Sequence, residues 1–289
     1  MSSLQVLTGR DYVSYSGLTS YLDCGERFRL ERVLNHKGQP GYWLAGGTAV
    51  HSATEWYDET VARLGTATEH VDKAVQVFHD KFDHEVRKHD SWKTAGRKSR
   101  EWPNGEDAAW WKATGPAMVL NYVQWRAANP QYSLMTMPGT DKPGIEVETE
   151  FTLPGDIKVK AIIDRVFVNN HGEALIVDLK TGSRKPPSSL QLGLYATALE
   201  QQYGFRPQIG AYWMGRSGEL TELSVLDRYN SALIGRWMRD FRKAVELQVF
   251  IPHVTAMCSG CSVNDQCYAY NPFAEAPDFL SDINQTSHN

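Results

Sequence analysis

Apolar residues recur along this chain with two periods, and the change from one to the other sets its organisation. From Ser16 to Val33, Leu18, Tyr21, Leu22 and Phe28 fall at helical spacing, with Ser16 placed as the N-cap. A second helix is predicted over Ala49–Leu64, behind Gly46-Gly47-Thr48. Helical spacing continues from Val71 to Asn129 with one break, Lys88–Asp107, whose Pro, Gly and Ser residues predict an exposed loop. The period then shortens to two. Ile145–Leu153, Ile157–Val168 and Glu173–Leu179 read as strands. Leu190–Gln202 returns to helix, Ile209–Met214 and Leu220–Leu226 predict two more strands, and Ser231–Phe250 a last helix. Residues past Tyr270 are polar and predict a frayed end. The whole reads as an α/β fold.

Among the charges inside the apolar strands, three stand out: Asp164, Asp178 and Lys180. Such residues are rare in buried runs unless they have a partner or a task. Alternation points Asp178 and Lys180 the same way. A three-residue loop, Asn170-His171-Gly172 with Gly172 left-handed, gives the hairpin even parity and brings Asp164 to the same face. Facing carboxylates repel unless a cation or proton lies between them, and hard oxygen ligands suit magnesium or manganese. Lys180 is then beside the metal, placed to orient a water or steady a developing negative charge. A buried Asp–Lys ion pair with an unrelated Asp nearby explains Asp178-Leu179-Lys180 taken alone. Gln191 and Tyr195, four apart on the next helix, are positioned to reach the same place.

The order Asp164, then Asp178-x-Lys180 fourteen positions on, then Gln191-x-x-x-Tyr195, resembles the PD-(D/E)xK nuclease superfamily and its RecB-like branch. The resemblance implies a restriction-endonuclease-like core with a mixed central sheet and a helical insertion. It implies Asp164, Asp178, Lys180, Gln191 and Tyr195 as catalytic residues. In RecB-like families a histidine after a glycine-rich stretch is a further metal ligand, and His51 matches it; the backbone carbonyl of Leu179 joins Asp164 and Asp178 around the ion. Two departures stand out: Ala161-Ile162-Ile163 replaces the usual Gly-x-Ile, and the second acid is Asp178 where Glu is common. Glu55, Glu148 and Glu150 are further acids near the predicted site, without an assigned role.

Composition narrows the setting. With 289 residues the chain can hold a substantial core, and its net charge of −4 excludes a generally basic nucleic-acid coat. No Gly-x4-Gly-Lys-Ser/Thr loop is present, so no ATP motor is encoded. The start lacks a signal pattern and no apolar run is long enough for a membrane, which predicts a cytoplasmic protein. Between Val86 and Arg100, six Lys or Arg stand against one Asp, with Trp92 and Trp102 nearby. That stretch is either a strand-guiding arm or a solvated loop.

Of four cysteines, Cys24 stands alone and Cys258, Cys261 and Cys267 form C-x2-C-x5-C. Four thiolates suit structural zinc or an iron-sulfur cluster equally. Here too the resemblance speaks: one early cysteine and a late triplet around a RecB-like core are similar to AddB and to the CRISPR-associated RecB-like exonucleases. In those, a 4Fe-4S cluster joins the two ends of the domain. The resemblance therefore implies a single nuclease domain over 1–289. Its parts are N-terminal helices with the first cysteine (14–64), a helical insertion (65–135), a catalytic sheet and helix (145–226), a C-terminal helix with the triplet (231–270) and a disordered tail (271–289). The implied activity is metal-dependent exonuclease cleavage of DNA, favouring single-stranded ends, in repair, phage replication or CRISPR spacer acquisition. The rival expectation is a DNA-end-binding assembly subunit, with an integrase or helicase as partner and little cleavage of its own.

Overall fold

A computed structural model describes residues 3–65 and 70–275; positions 276–289 of the predicted tail lie outside the described residues. The chain forms two compact units, Met1–Gln39 with Arg239–Asn289, and Pro40–Met238.

The smaller unit begins with α1 (Ser3–Thr8), β1 (Val13–Ser14), α2 (Tyr15–Asp23) and α3 (Gly25–Phe28), which runs into a π-helical turn at Arg29–Val33. The predicted single helix is thus broken at Cys24, whose backbone is extended. The cap is Ser14 and not Ser16: its extended backbone lets the hydroxyl accept Gly17 N at 3.1 Å. The break has a packing cause. A Cβ on Gly25 would come within 2.7 Å of Ile251 N, and Gly25 N donates to Ile251 O at 3.0 Å. Tyr21, Phe28, Phe241 and Phe250 close an aromatic cluster around this crossing, and Tyr21 OH donates to Val249 O at 2.7 Å. The two terminal segments are therefore joined by ordinary packing.

In the larger unit, α4 (Tyr42–Leu64) starts at Tyr42 and not at Ala49, so the glycine pair lies inside the helix. Glycine is normally poor there, but at Gly46 close approach demands it. A Cβ on Gly46 would fall 2.0 Å from the Trp111 ring, and one on Gly47 would lie 3.3 Å from Thr181 Oγ1. α5 (Val71–Val86) and α6 (Ala108–Ala128) follow as predicted, the latter capped by Asp107, which accepts Trp110 N at 3.0 Å. These three helices bury Tyr57, Phe78, Phe82, Trp111 and Tyr122 against one face of the sheet, meeting Leu175, Val177, Leu179 and Trp213.

The strands are β2 (Ser133–Leu134), β3 (Ile145–Leu153), β4 (Ile157–Val168) and β5 (Ala174–Lys180). After α7 (Leu190–Tyr203) come β6 (Ile209–Met214), β7 (Glu219–Leu220) and β8 (Ser224–Val225). The order runs β4-β5-β6-β7, with β2 and β3 on β4 and β8 on β6. β5 and β6 are parallel and the other pairs antiparallel, giving a mixed sheet. One predicted strand, Leu220–Leu226, is instead interrupted. Thr221 exchanges both its amide and its hydroxyl with Tyr212, and the side chain takes the place of a ladder carbonyl. The last helix, α8 (Ser231–Glu246), stops short of the predicted Phe250. No helix among the described residues is long and apolar enough to cross a membrane.

The β4–β5 hairpin has the predicted parity. Its pairs run from Val168↔Ala174 to Arg165↔Val177, Asn169 N donates to Glu173 O at 3.0 Å, and Gly172 sits at φ +79°. Asp164 and Asp178 are the residues that flank the last pair of this ladder, Arg165↔Val177.

Candidate active site

Two alternating faces of β5 divide the labour. Leu175, Val177 and Leu179 enter the helical core, while Asp178 and Lys180 point toward α7. Lys180 Nζ donates to Gln191 Oε1 at 3.0 Å, Gln191 Nε2 donates to Tyr195 OH at 2.7 Å, and Tyr195 OH donates to Asp178 Oδ1 at 3.4 Å. Lys180 Nζ also lies 2.6 Å from Asp178 Oδ2, which closes a ring of four side chains. That last approach is a charge contact without hydrogen-bond alignment, so buried Oδ2 keeps no hydrogen-bond partner among the described residues. Burial pushes the Asp178 carboxyl up to about 7, the Asp164 charge adds to the rise, and Lys180 opposes it. Burial likewise raises the Tyr195 phenol, with the Asp178 charge next.

Asp164 is oriented by the main chain: its Oδ2 accepts Leu179 N at 2.7 Å. His51, brought in by α4, meets Leu179 O through Nε2 at 3.2 Å. A proton on Nε2 satisfies that contact and leaves the Nδ1 lone pair 3.7 Å from Asp164 Oδ2 and 4.0 Å from Glu146 Oε1. His51, Glu146 and Asp164 place ligand atoms within 4.8 Å of one another. Burial, then the Asp164 charge, pushes the Glu146 carboxyl up to about 7. A divalent cation fits this place. Two carboxylates and an imidazole nitrogen converge, a donor set that such an ion takes, and the buried Asp178 carboxylate, paired with Lys180, adds further oxygen donors next to Asp164.

All seven residues predicted for this site, His51, Asp164, Asp178, Leu179, Lys180, Gln191 and Tyr195, are gathered here. Glu146 joins them without having been predicted. It holds φ +43°, a left-handed backbone that a Glu adopts only at a cost. The hint is in the β3–β4 turn: once Leu153 pairs with Ile157, counting back sets Glu146 opposite Asp164. Glu148 and Glu150 are not part of the group; Glu150 is exposed and paired with Lys160 at 2.8 Å. Glu55 is half-buried one turn beyond His51, its carboxyl raised by burial.

Behind Glu146 lies a second unpredicted element, Arg165, fully buried in the same apolar run as Asp164. Its Nη1 donates to Glu146 Oε1 at 3.2 Å and to Asp164 O at 2.6 Å, its Nη2 to Thr54 Oγ1 at 3.3 Å, and its Nε to Asp58 Oδ2 at 2.6 Å. Asp58 also accepts from Tyr122 OH and from Arg126 Nε. The guanidinium thus fixes a candidate ligand to a fully satisfied buried carboxylate.

The four cysteines all lie in the smaller unit, half-buried and in no disulfide. Cys24 Sγ accepts His253 N at 3.3 Å, and Cys258 Sγ accepts Thr255 N at 3.3 Å and touches His253 O at 3.8 Å, so one residue bridges the early and late cysteines. Burial raises the Cys267 thiol, and the Glu26 charge adds to the rise. Amide donors aimed at two sulfurs suit thiolate ligands.

A strand-borne acid, an Asp-x-Lys on the neighbouring strand and a mixed sheet are the marks of a metal-dependent nuclease. The chain belongs to the PD-(D/E)XK nuclease superfamily, whose model matches residues 12–268. It is similar to the Gene 69 protein of Mycobacterium phage L5, 28% identical over 240 residues that span 71% of this chain and 77% of the relative. The Gene 69 protein of Mycobacterium phage D29 is 28% identical over 275 residues, spanning 88% and 95%. Among solved structures, SSO0001 aligns over 93% of both chains at 14% identity with a TM-score of 0.37, too loose a match to carry a comparison.

Proposed function

We propose that this chain is a RecB-like exonuclease that hydrolyses DNA from single-stranded ends, acting in phage replication or recombination. The observation that carries the reading is the closed ring of Lys180, Gln191, Tyr195 and Asp178 set beside His51, Glu146 and Asp164. A magnesium or manganese ion held by His51, Asp164, Asp178 and Glu146 would polarise the phosphoryl oxygens and acidify the attacking water. Lys180, steered by Gln191, holds that water by hydrogen bonding and faces the charge that develops on phosphorus oxygens. Tyr195, whose phenol burial raises still further above its ordinary value, donates to Asp178 and fixes its orientation. The phage origin of both relatives supports the setting. The test is cleavage of end-labelled single-stranded and duplex DNA with manganese, with magnesium and with chelator. Label released from single strands, dependent on the ion, is the expected result; cuts only within closed circular DNA would defeat the exonuclease reading.

The same proposal gives Cys24, Cys258, Cys261 and Cys267 to a structural 4Fe-4S cluster. Support comes from the amides aimed at Cys24 and Cys258 and from the way His253 brings the early and late cysteines together. Cys258→Ala is expected to yield a colourless protein with a lower melting temperature, because ligand loss removes binding energy that is also folding energy. Anaerobically purified wild-type protein that is colourless and contains zinc would overturn the assignment. An unchanged melting temperature in the variant would count against a stabilising role.

A further inference from the structure

We infer that the loop between α5 and α6 is a docking arm for an unpaired nucleic-acid strand, with Arg97, Lys98 and Arg100 as phosphate contacts and Trp102 as a base platform. This rests on the reading of the chain as a DNA nuclease and adds where the strand lies.

The loop is long, yet it is braced at both ends. Lys93 N donates to Pro40 O at 2.8 Å and Tyr42 N to Lys93 O at 3.0 Å, while the Trp92 ring stacks on Tyr42 at 5.4 Å. Trp92 is therefore structural and unavailable to a base. At the far end Glu106 N donates to Ala95 O at 2.7 Å, and the Glu106 carboxylate takes both Arg216 Nη groups at 2.8 Å. Arg216 lies over the Trp110 ring at 4.8 Å and donates through Nε to Thr181 O at 2.9 Å. Thr181 follows Lys180 directly. A bidentate ion pair and a stacked ring thus anchor this loop to the end of the strand that carries the proposed catalytic lysine.

Between the braces the loop is preorganised and open. Ser99 Oγ accepts Trp102 N at 2.9 Å, and Trp102 O accepts Ser99 N and Gly105 N at 3.0 Å, so the tip is a defined turn. Arg97, Lys98 and Arg100 are exposed and carry no hydrogen bond or ion pair among the described residues, and Glu101 is the one acid among positions 97–102. Trp102 is half-exposed, and no ring lies against it among the described residues. On a chain of net charge −4, such a local excess of cations is a departure from the rest. Cations interleaved with an open indole match a single strand: phosphates meet the charges, and only an unpaired base leaves its face to the ring.

The test is binding of a fluorescein-labelled single-stranded oligonucleotide and of its duplex, read by anisotropy in chelator over a range of salt. The triple variant Arg97→Ala/Lys98→Ala/Arg100→Ala should keep the wild-type melting temperature and weaken single-strand binding at least about tenfold. Its log Kd against log salt should flatten by about 0.7 for each phosphate that is no longer neutralised. Trp102→Ala should weaken single-strand binding by roughly 5- to 100-fold and leave the duplex unaffected. An unchanged salt slope in the triple variant overturns the phosphate contacts, and equal losses on single strand and duplex overturn the base platform. Arm-dependent binding by a protein that never cleaves would uphold the arm and sink the nuclease; cleavage and binding indifferent to the arm would do the reverse.

Discussion

Lys180→Ala is expected to leave the fold intact and to cut ion-dependent DNA hydrolysis by at least about 10²-fold, the scale of losing one preorganised donor at a developing negative charge. The fold should survive for a specific reason. Lys180 is partly exposed, and its loss leaves Asp178 without the one positive charge that holds its carboxyl down most strongly. That carboxyl, already raised by burial, is then pushed further toward its neutral form, which is far less costly to bury than a bare charge. Gln191 loses its donor but keeps Tyr195. Circular dichroism and a melting curve beside the cleavage assay separate the two effects. Residual activity near the wild-type level would remove Lys180 from the proposed mechanism.

Arg165→Met should produce the opposite signature, a large loss of stability together with weakened metal binding. Removing the guanidinium strips Asp58 of its closest cation and leaves the pair's remaining charge buried, a change of about 3–5 kcal/mol. Arg126 and Tyr122 still serve Asp58, so the lower part of that range is expected. Glu146 meanwhile loses the donor that aims it, and the affinity for manganese should fall about 10- to 100-fold. Arg165→Lys retains the charge but not the fork, and should keep part of the stability while losing most of the aim. Chemical denaturation and manganese titration by calorimetry are the measurements. Wild-type values in both would mean that the buried network neither supports the fold nor orients Glu146.

Much of the site is legible in the sequence because strands constrain their side chains so tightly. Alternation sets Asp178 and Lys180 on one face, and the Asn170-His171-Gly172 turn sets the parity that brings Asp164 to them. Glu148 and Glu150 stand out as acids on β3, but the same arithmetic, carried through the β3–β4 turn, selects Glu146. The glycine pair reads as a helix boundary because glycine is poor inside helices. Only the docked Trp111 ring and Thr181 reveal why it is tolerated there. Asp58 has no local mark at all: it is one acid on an amphipathic helix, and its role exists only once α4, α6 and β4 meet. The break at Cys24 has a similar origin, since it answers to Ile251, more than two hundred positions away.

Leu179 gives the site an unexpected gauge. Its side chain is packed among the helices, its amide holds Asp164, its carbonyl holds His51, and its neighbours on either side are Asp178 and Lys180. The distance between the charged groups is therefore measured out by a leucine pressed into oil. Any repacking of the apolar layer behind it would be transmitted, through the two peptide units that flank it, to charges that the altered residues never touch. Tolerance to apolar substitution around this leucine should accordingly track ion binding more closely than melting temperature.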